Sequence, residues 1–346
     1  MTPCVDDYFF QHRGHMIVVT GGTGFVGREI CRALRAEGLP VRAVSRTPST
    51  ALPPGIEFFP ADITQPDSLR HAFHHAQAVI HTVGIIRESS SQTFSQVHLE
   101  GTAHVVAAAR AASVPRYLHL SALGTRPLAA SRYHQTKWEA EQIVRASGLA
   151  ATIFRPSLIY GKGDASTTQL ATLLQPPLSW LSGGFLPIPG GKQATLCPVS
   201  VASVAESVVR SLGQSQAVGK TFDLCGDTTT LGDLALAVAH ALGRQPTWVE
   251  NNPDIILLSI PWLWLTRRKP ILFPIPLPLC RLFAAVTERL LPRPPLTTDQ
   301  ITMLEEGQVG DSEPARQLLG FHTPDLSHGL AAYLAPRAGG AADRRP

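Results

Sequence analysis

Short uninterrupted apolar runs alternate along this chain with longer segments whose apolar positions recur every three or four residues. "MIVVT" (16–20) is β-branched with no polar break, the pattern of a strand buried on both faces. A glycine cluster follows at 21–27, and then "REICRALRAEG" carries Ile30, Ala33 and Leu34 at helical spacing before Gly38 ends the run. The same reading predicts further strands at 41–45, 56–63, 78–84, 116–123 and 151–161. It predicts intervening helices at 68–76, 94–113 and 133–147, the last closed by Gly148. Regular β-α alternation with short connections predicts an α/β protein built on a doubly wound parallel sheet.

After residue 161 the rhythm weakens. "KTFDLCG" (220–226) reads as a strand, "LGDLALAVAHALG" (231–243) as an amphipathic helix, and "TTDQITMLEE" (297–306) as a capped helix. The predicted organisation is therefore a loose extension over 1–15, with Met16 as an alternative natural start, and a nucleotide-binding domain over 16–161. Later strands return to that domain from 190–235; a small α/β C-terminal lobe spans 162–335, and 336–346 form a disordered tail. Residues 254–296 are apolar and rich in proline. "IILLSIPWLWLT" (255–266) is uncharged but short of the roughly 20 apolar residues of a membrane-spanning helix, and Pro261, Pro274, Pro276 and Pro278 argue against a helix there. Trp262 and Trp264 beside Arg267–Lys269 suit a membrane interface; the alternative is a lid packed over a substrate pocket.

Composition narrows the function. Hydrophobic residues make up 44% of the 346 positions, enough for a sizeable core, and a net charge of +4 is too small and scattered for a nucleic-acid binder. Five cysteines, odd in number and never in a CxxC, predict neither a disulfide framework nor a zinc site and point to a reducing, cytoplasmic compartment. No signal peptide is visible at the start. His71, His74 and His75 form an HxxHH run in a polar segment without a fixed partner ligand, so a solvated helix face is expected there and no metal.

The chemistry begins in "TGGTGFVG", placed between a strand and a helix. Gly22, Gly24 and Gly27 satisfy G-x-G-x-x-G, and Gly21, Gly24 and Gly27 satisfy G-x-x-G-x-x-G. Either way the loop of Gly21, Gly22, Thr23, Gly24, Phe25, Val26 and Gly27 turns tightly and sets a pyrophosphate on the free N–H groups of a helix N-terminus, as in a Rossmann fold. At the end of the second strand an NAD site usually has a carboxylate for the ribose 2′-hydroxyl. Here it reads Ser45-Arg46, a hydroxyl and a guanidinium that suit a 2′-phosphate, so NADP is expected over NAD. Asp62 and Ile63, ending the third strand, are candidates for the adenine edge. Ser121 ends the fifth strand, where ligands of such sheets bind. Tyr133 follows twelve residues later, and Lys137 shares its helical face. An ammonium beside a phenol of ordinary pKa near ~10 favours phenolate, which prepares Tyr133 for acid–base work.

TGGTGFVG, ADI, HTVG, LSALG, YHQTK and FRPSLIYGKGD, in that order, resemble the short-chain dehydrogenase/reductase superfamily, in its extended and atypical epimerase/dehydratase branch. "VGIIRE", "HLEGT", "SRYHQTKWEAE" and "LTTDQITMLEE" are similar to bacterial relatives of the nucleotide-binding accessory subunit of respiratory complex I. The resemblance implies Ser121, Tyr133 and Lys137 as a catalytic triad, Thr82, Val83 and Gly84 as a cofactor loop, and Pro156 and Ser157 beside the nicotinamide carboxamide. Lys137 would also hold the nicotinamide ribose. The sequence departs from the pattern at His98, where Asn is common in "NxxGT", and at Ser203, where a loop acid is common. The short Ser–Tyr spacing argues against a sugar-nucleotide pocket. Two functions stay open: oxidoreduction at a carbonyl or alcohol carbon of a small, apolar molecule, or a catalytically quiet nucleotide-bound subunit or assembly factor, in contact with a respiratory complex or the membrane's inner face through 255–280.

Overall fold

The computed structural model describes residues 16–175, 185–248, 271–291 and 294–335. The 1–15 extension, the Trp262/Trp264 stretch with its basic triplet, and the tail at 336–346 lie outside the described residues.

Strands β1 (Met16–Thr20), β2 (Val41–Ser45), β3 (Glu57–Pro60), β4 (Ala76–His81), β5 (Arg116–Leu120), β6 (Ala151–Pro156) and β11 (Thr221–Leu224) form one parallel sheet in the order β11-β6-β5-β4-β1-β2-β3. The order reverses direction between β1 and β4, and the crevice at that switch point is where such sheets take ligands. The alternating apolar positions of β1 explain the two layers. Ile17 and Val19 face one side and pack with Ile30, Leu34, Val204 and Val208, from α1 (Phe25–Ala36) and α5 (Val201–Ser211). Val18 faces the other side and packs with Val79, Tyr117, Val105 and Val144, from α2 (Gly101–Ala111) and α3 (Arg132–Arg145) among others. The central strands are thus covered on both faces, as parallel sheets require, while the edge strand β3 stays partly exposed.

Of the shorter elements in between, β7 (Ile159–Tyr160) pairs with β10 (Val199–Ser200), and β9 (Thr195–Leu196) with β12 (Thr229–Thr230). The C-terminal lobe holds a small sheet of β8 (Phe185–Pro189), β14 (Ile271–Ile275) and β13 (Thr247–Trp248). It packs with α6 (Leu231–Ala241), α10 (Leu326–Leu334) and α4 (Ser166–Leu174) around Leu186, Leu234, Val238, Leu272 and Leu330. Two more helices, α8 (Thr298–Glu306) and α9 (Glu313–Leu319), return to the main domain. The expected cap of α8 is present in full: Thr297 accepts from the Gln300 N–H, and Gln300 reaches back to the Thr297 N–H.

The structure corrects two expectations. Residues 68–76 are not a helix; one 3₁₀ turn (Pro66–Leu69) is followed by turns that end at His75, whose positive φ of 59° breaks any helical continuation. His71, His74 and His75 therefore sit on irregular backbone with their side chains exposed. The prolines of 274–278 also do not prevent a helix. Pro276 is the N-cap and Pro278 lies in the first turn of α7 (Leu277–Leu290), where a missing N–H costs nothing.

Candidate functional site

The carboxyl ends of β1, β2, β4, β5 and β6 open onto a cavity of about 600 Å³. Gly21, Thr23, Gly24, Phe25, Val26 and Gly27 line it, with Ser45 and Arg46, Asp62 and Ile63, and Thr82, Val83 and Gly84. Ser121, Tyr133, Lys137, Pro156 and Ser157 line it too, so the candidate residues converge on one crevice, with one exception.

That exception is Gly22, which faces the sheet. A Cβ there would fall 2.7 Å from the Ala43 Cβ, so its glycine lets the loop pack on β2. At Gly27 a Cβ would fall 2.2 Å from the Gly21 carbonyl oxygen, so this position lets the first turn of α1 close against the loop. The helix begins at Gly24 with no side-chain cap, which leaves its first N–H groups turned to the cavity for an anion. This backbone cradle fits a dinucleotide pyrophosphate. The Ser45 hydroxyl accepts from the Thr23 N–H (3.2 Å) and ties the end of β2 to the loop, while Arg46 stands exposed at the rim. The Asp62 carboxylate turns inward, accepting from the Thr64 N–H (2.9 Å) and hydroxyl (2.8 Å); it shapes the loop that borders the crevice.

On the opposite wall, Lys137 donates from Nζ to the Leu120 carbonyl (3.1 Å), and Nζ lies so near Gly84 that a Cβ there would stand 3.0 Å away. Burial pushes its ammonium down to about 8, although Glu141 one turn on opposes the shift. The expected lowering of the Tyr133 phenol by the ammonium is not found: burial pushes it up to about 12, so in this state it is a proton donor at neutral pH. The Ser121 hydroxyl is buried and has no hydrogen-bond partner among the described residues. An unpaired buried hydroxyl on a cavity wall is the kind of group a ligand oxygen completes.

His98 occupies the helical position where Asn is common. It lies on a π-helical segment (Ser95–Glu100) that leads into α2. Its Nδ1 shares a hydrogen bond with the Thr136 hydroxyl (2.9 Å), which also reaches the Arg132 and Tyr133 carbonyls (3.0 and 3.1 Å). Nε2 meets the backbone of Ile85, its N–H at 3.2 Å and its carbonyl oxygen at 3.1 Å. Burial and the nearby Lys137 charge push this imidazole down to about 2. Held neutral, it ties the loop after β4 to the turn of α3 between Tyr133 and Lys137. Ser203 stands at the start of α5, where its N–H donates to the Ser200 hydroxyl (3.0 Å), so its place is in a helix cap.

Two acids that sequence reasoning did not single out fix this helix from the C-terminal lobe. Asp299 accepts from the Arg132 and Tyr133 N–H groups at 2.7 and 3.2 Å. Glu306 accepts from Arg126 (2.6 Å), the Ala130 N–H (2.7 Å), the Ser131 hydroxyl (2.9 Å) and His134 Nδ1 (3.0 Å). Both carboxylates sit at the positive end of the α3 dipole. Burial alone would raise the Glu306 pKa; bonds from His134, the Ala130 N–H and Ser131 outweigh it and hold the carboxyl below its ordinary range. A carboxylate depressed in this way stabilises the fold above its unfolded pKa and loses that contribution as pH falls through the folded value. Glu306→Gln is therefore expected to cost about 1–3 kcal/mol at neutral pH. The gap from the unaltered protein should close in acid, and melting temperatures against pH check this.

With this geometry in place, comparison with known proteins identifies the class. Residues 21–214 match the NAD(P)H-binding family, and the chain belongs to it. It is 26% identical over 333 residues to the 40 kDa subunit of mitochondrial NADH-ubiquinone oxidoreductase from Neurospora crassa, covering 93% of this chain and 79% of that one. It is 29% identical over 249 residues to the ceramide reductase of Caulobacter vibrioides, covering 70% and 75%. A solved UDP-glucose 4-epimerase from Thermotoga maritima superposes with a TM-score of 0.66 over 92% of this chain and 97% of that one; at 17% identity it speaks for the fold alone. These are the fold and the relationships that the sequence motifs imply.

Proposed function

We propose that this protein is an NADPH-dependent reductase of a carbonyl on an apolar molecule. The observation that carries the reading is the unpaired Ser121 hydroxyl, which shares one cavity wall with a protonated Tyr133 and with Lys137, opposite the glycine loop. Ser121 would donate to the substrate oxygen and hold it near the phenol. Tyr133 would protonate that oxygen as the carbonyl carbon is reduced, leaving a phenolate that the Lys137 ammonium stabilises. A reduced nicotinamide supplies the hydride when bound. Ile85, Ile86, Leu123, Leu158 and Met303 wall the remaining space, which favours an apolar substrate. Likeness to a reductase named for a lipid, ceramide, supports the same direction. The test is turnover of NADPH against a panel of short-chain and long-chain ketones, with activity expected only on the latter.

The preference for NADP rests on Arg46 at the rim beside Ser45. Arg46→Asp is expected to cost about 1–3 kcal/mol of NADPH affinity and to place NADH ahead, as calorimetry would read. Equal or tighter NADH binding by the unaltered protein would remove the assignment.

A second reading, a nucleotide-holding subunit of a respiratory complex, is favoured by the likeness to the 40 kDa subunit over 93% of this chain. It needs the glycine loop and not the phenol. Rescue of a deletion strain by Tyr133→Phe at the level of the unaltered gene would favour it.

A further inference from the structure

Four of the five cysteines fall among the described residues, and all four are buried. Two of them, Cys197 and Cys225, share one small cluster with Leu123 although they stand far apart in sequence. Cys197 follows β9 and Cys225 follows β11, and the two segments approach backbone to backbone. The Gly226 N–H donates to the Cys197 carbonyl at 3.3 Å, and a Cβ at Gly226 would fall 2.3 Å from the Pro198 carbonyl oxygen. Only glycine lets the residue after Cys225 lie this close to the residue after Cys197. Both sulfurs turn to one strip of chain, the segment 307–312 that joins α8 to α9. Cys197 Sγ–H donates to the Gln308 carbonyl (2.9 Å) and Cys225 Sγ–H to the Gly310 carbonyl (3.3 Å). Ser312 closes the cluster: its hydroxyl oxygen accepts from the Cys225 N–H (2.9 Å) and lies 3.1 Å from Cys225 Sγ. The strip also borders the cavity. Gln308 lines it, and the Gln308 side-chain oxygen accepts from the Ser157 hydroxyl (3.3 Å), another lining group; Leu123 lines it as well.

We propose that Cys197 and Cys225 are a reversible redox site, a dithiol that hydrogen peroxide converts to a disulfide. The assignment goes beyond the reductase reading and stands without it. The two thiols are hydrogen-bonded to one another. That bond, with help from Ser312, outweighs burial and pulls the Cys225 thiol below its ordinary value, while the same contact and burial push the Cys197 thiol up. A thiolate is the nucleophile, so Cys225 reacts first and Cys197 second. The Cys225 sulfur attacks one peroxide oxygen, the O–O bond breaks, one water leaves, and a sulfenic acid stands on Cys225. The Cys197 sulfur then attacks the Cys225 sulfur, the S–S bond forms, and the sulfenic oxygen leaves as a second water. The two thiols have given up two electrons and two protons, and the peroxide has taken them. The cavity wall at Leu123, Ser157 and Gln308 is the approach, open to an oxidant this small. A disulfide carries no S–H donor. The Gln308 and Gly310 carbonyls lose their partners, and the strip that holds Gln308 against Ser157 loosens.

The experiment takes the full chain, reduced with dithiothreitol and freed of it, and treats it with hydrogen peroxide before unfolding, alkylation and mass spectrometry. Three of the five cysteines should then alkylate, and digestion should yield one peptide pair joined through Cys197 and Cys225. Dithiothreitol should restore all five. Hydrogen exchange of the 308–310 amides should rise about tenfold in the oxidised form, the worth of one lost hydrogen bond. Cys225→Ser should give no crosslink and no change in exchange on peroxide treatment. Cys197→Ser should stop at a sulfenic acid on Cys225 that dimedone traps. Five alkylating cysteines after peroxide, a crosslink through any other cysteine, or sulfinic and sulfonic acids at the pair without a link would overturn the proposal. A disulfide with unchanged exchange at 308–310 would overturn its connection to the cavity.

Discussion

Tyr133→Phe is expected to cut carbonyl reduction by about 10²–10⁴-fold, the worth of a positioned acid–base group. Little else should change. The ring packs edge-on against Phe94 and His98, with centroids 5.9 and 5.5 Å away, and phenylalanine keeps those contacts. The Tyr133 N–H stays bound to Asp299, because that bond is to the backbone. Melting temperature and nucleotide affinity should therefore match the unaltered protein, and steady-state rates on the best ketone measure the loss. Lys137→Met should also slow turnover, and it should weaken the nucleotide as well. The pH profile carries a second signature: with the ammonium near 8, activity should fall as Lys137 loses its proton above that value.

The second large effect belongs to the glycine loop. Gly27→Ala places a methyl 2.2 Å from the Gly21 carbonyl oxygen and 2.8 Å from its carbon, and both obstacles are backbone. The loop must move away from the start of α1, and the N–H groups facing the cavity move with it. Overpacking of this kind costs about 1–3 kcal/mol of stability. Loss of two or more charge-assisted bonds at about 1.5–3 kcal/mol each should weaken NADPH about a hundredfold or more, which calorimetry would show. Gly22→Ala is instructive beside it. Gly22 lies off the cavity and meets Ala43, so its variant should lose stability first and affinity as a consequence.

These sites differ in how plainly the sequence announces them. The glycine loop, β1, and the face shared by Tyr133 and Lys137 are local patterns, settled within a dozen residues by sterics and helical spacing, and all but Gly22 of the loop and both side chains of that face line the crevice. The segment 68–76 misled because its apolar positions sit at helical spacing, yet His75 takes a left-handed conformation and the chain turns instead. Helix α7 was hidden by its own prolines, which count against a helix only when they fall beyond the first turn. The carboxylate clamp is a different case. Asp299 and Glu306 are visible on a capped helix, but their partners lie more than 160 residues earlier, and no local pattern encodes that contact. Gly22 lies off the cavity and packs on Ala43 while its motif neighbours line the crevice, a difference in placement that the motif alone does not encode.

The C-terminal lobe thereby has a physical connection to the candidate site. Two carboxylates of α8 hold the first turn of the helix that presents Tyr133 and Lys137, and Met303 and Gln308 reach the cavity wall. Changes in the lobe should appear first as altered positioning of α3.

The account's central claim is tested most directly by following a label. NADPH deuterated at the transferable position of nicotinamide C4 is incubated with the protein and a long-chain ketone, and the products are weighed by mass spectrometry. The account predicts one deuterium on the carbinol carbon for each cofactor oxidised, with transfer falling by about 10²-fold or more in Tyr133→Phe. Stoichiometric binding of NADPH with no deuterium transferred to any ketone in the panel would contradict it and leave the nucleotide a structural part of the protein.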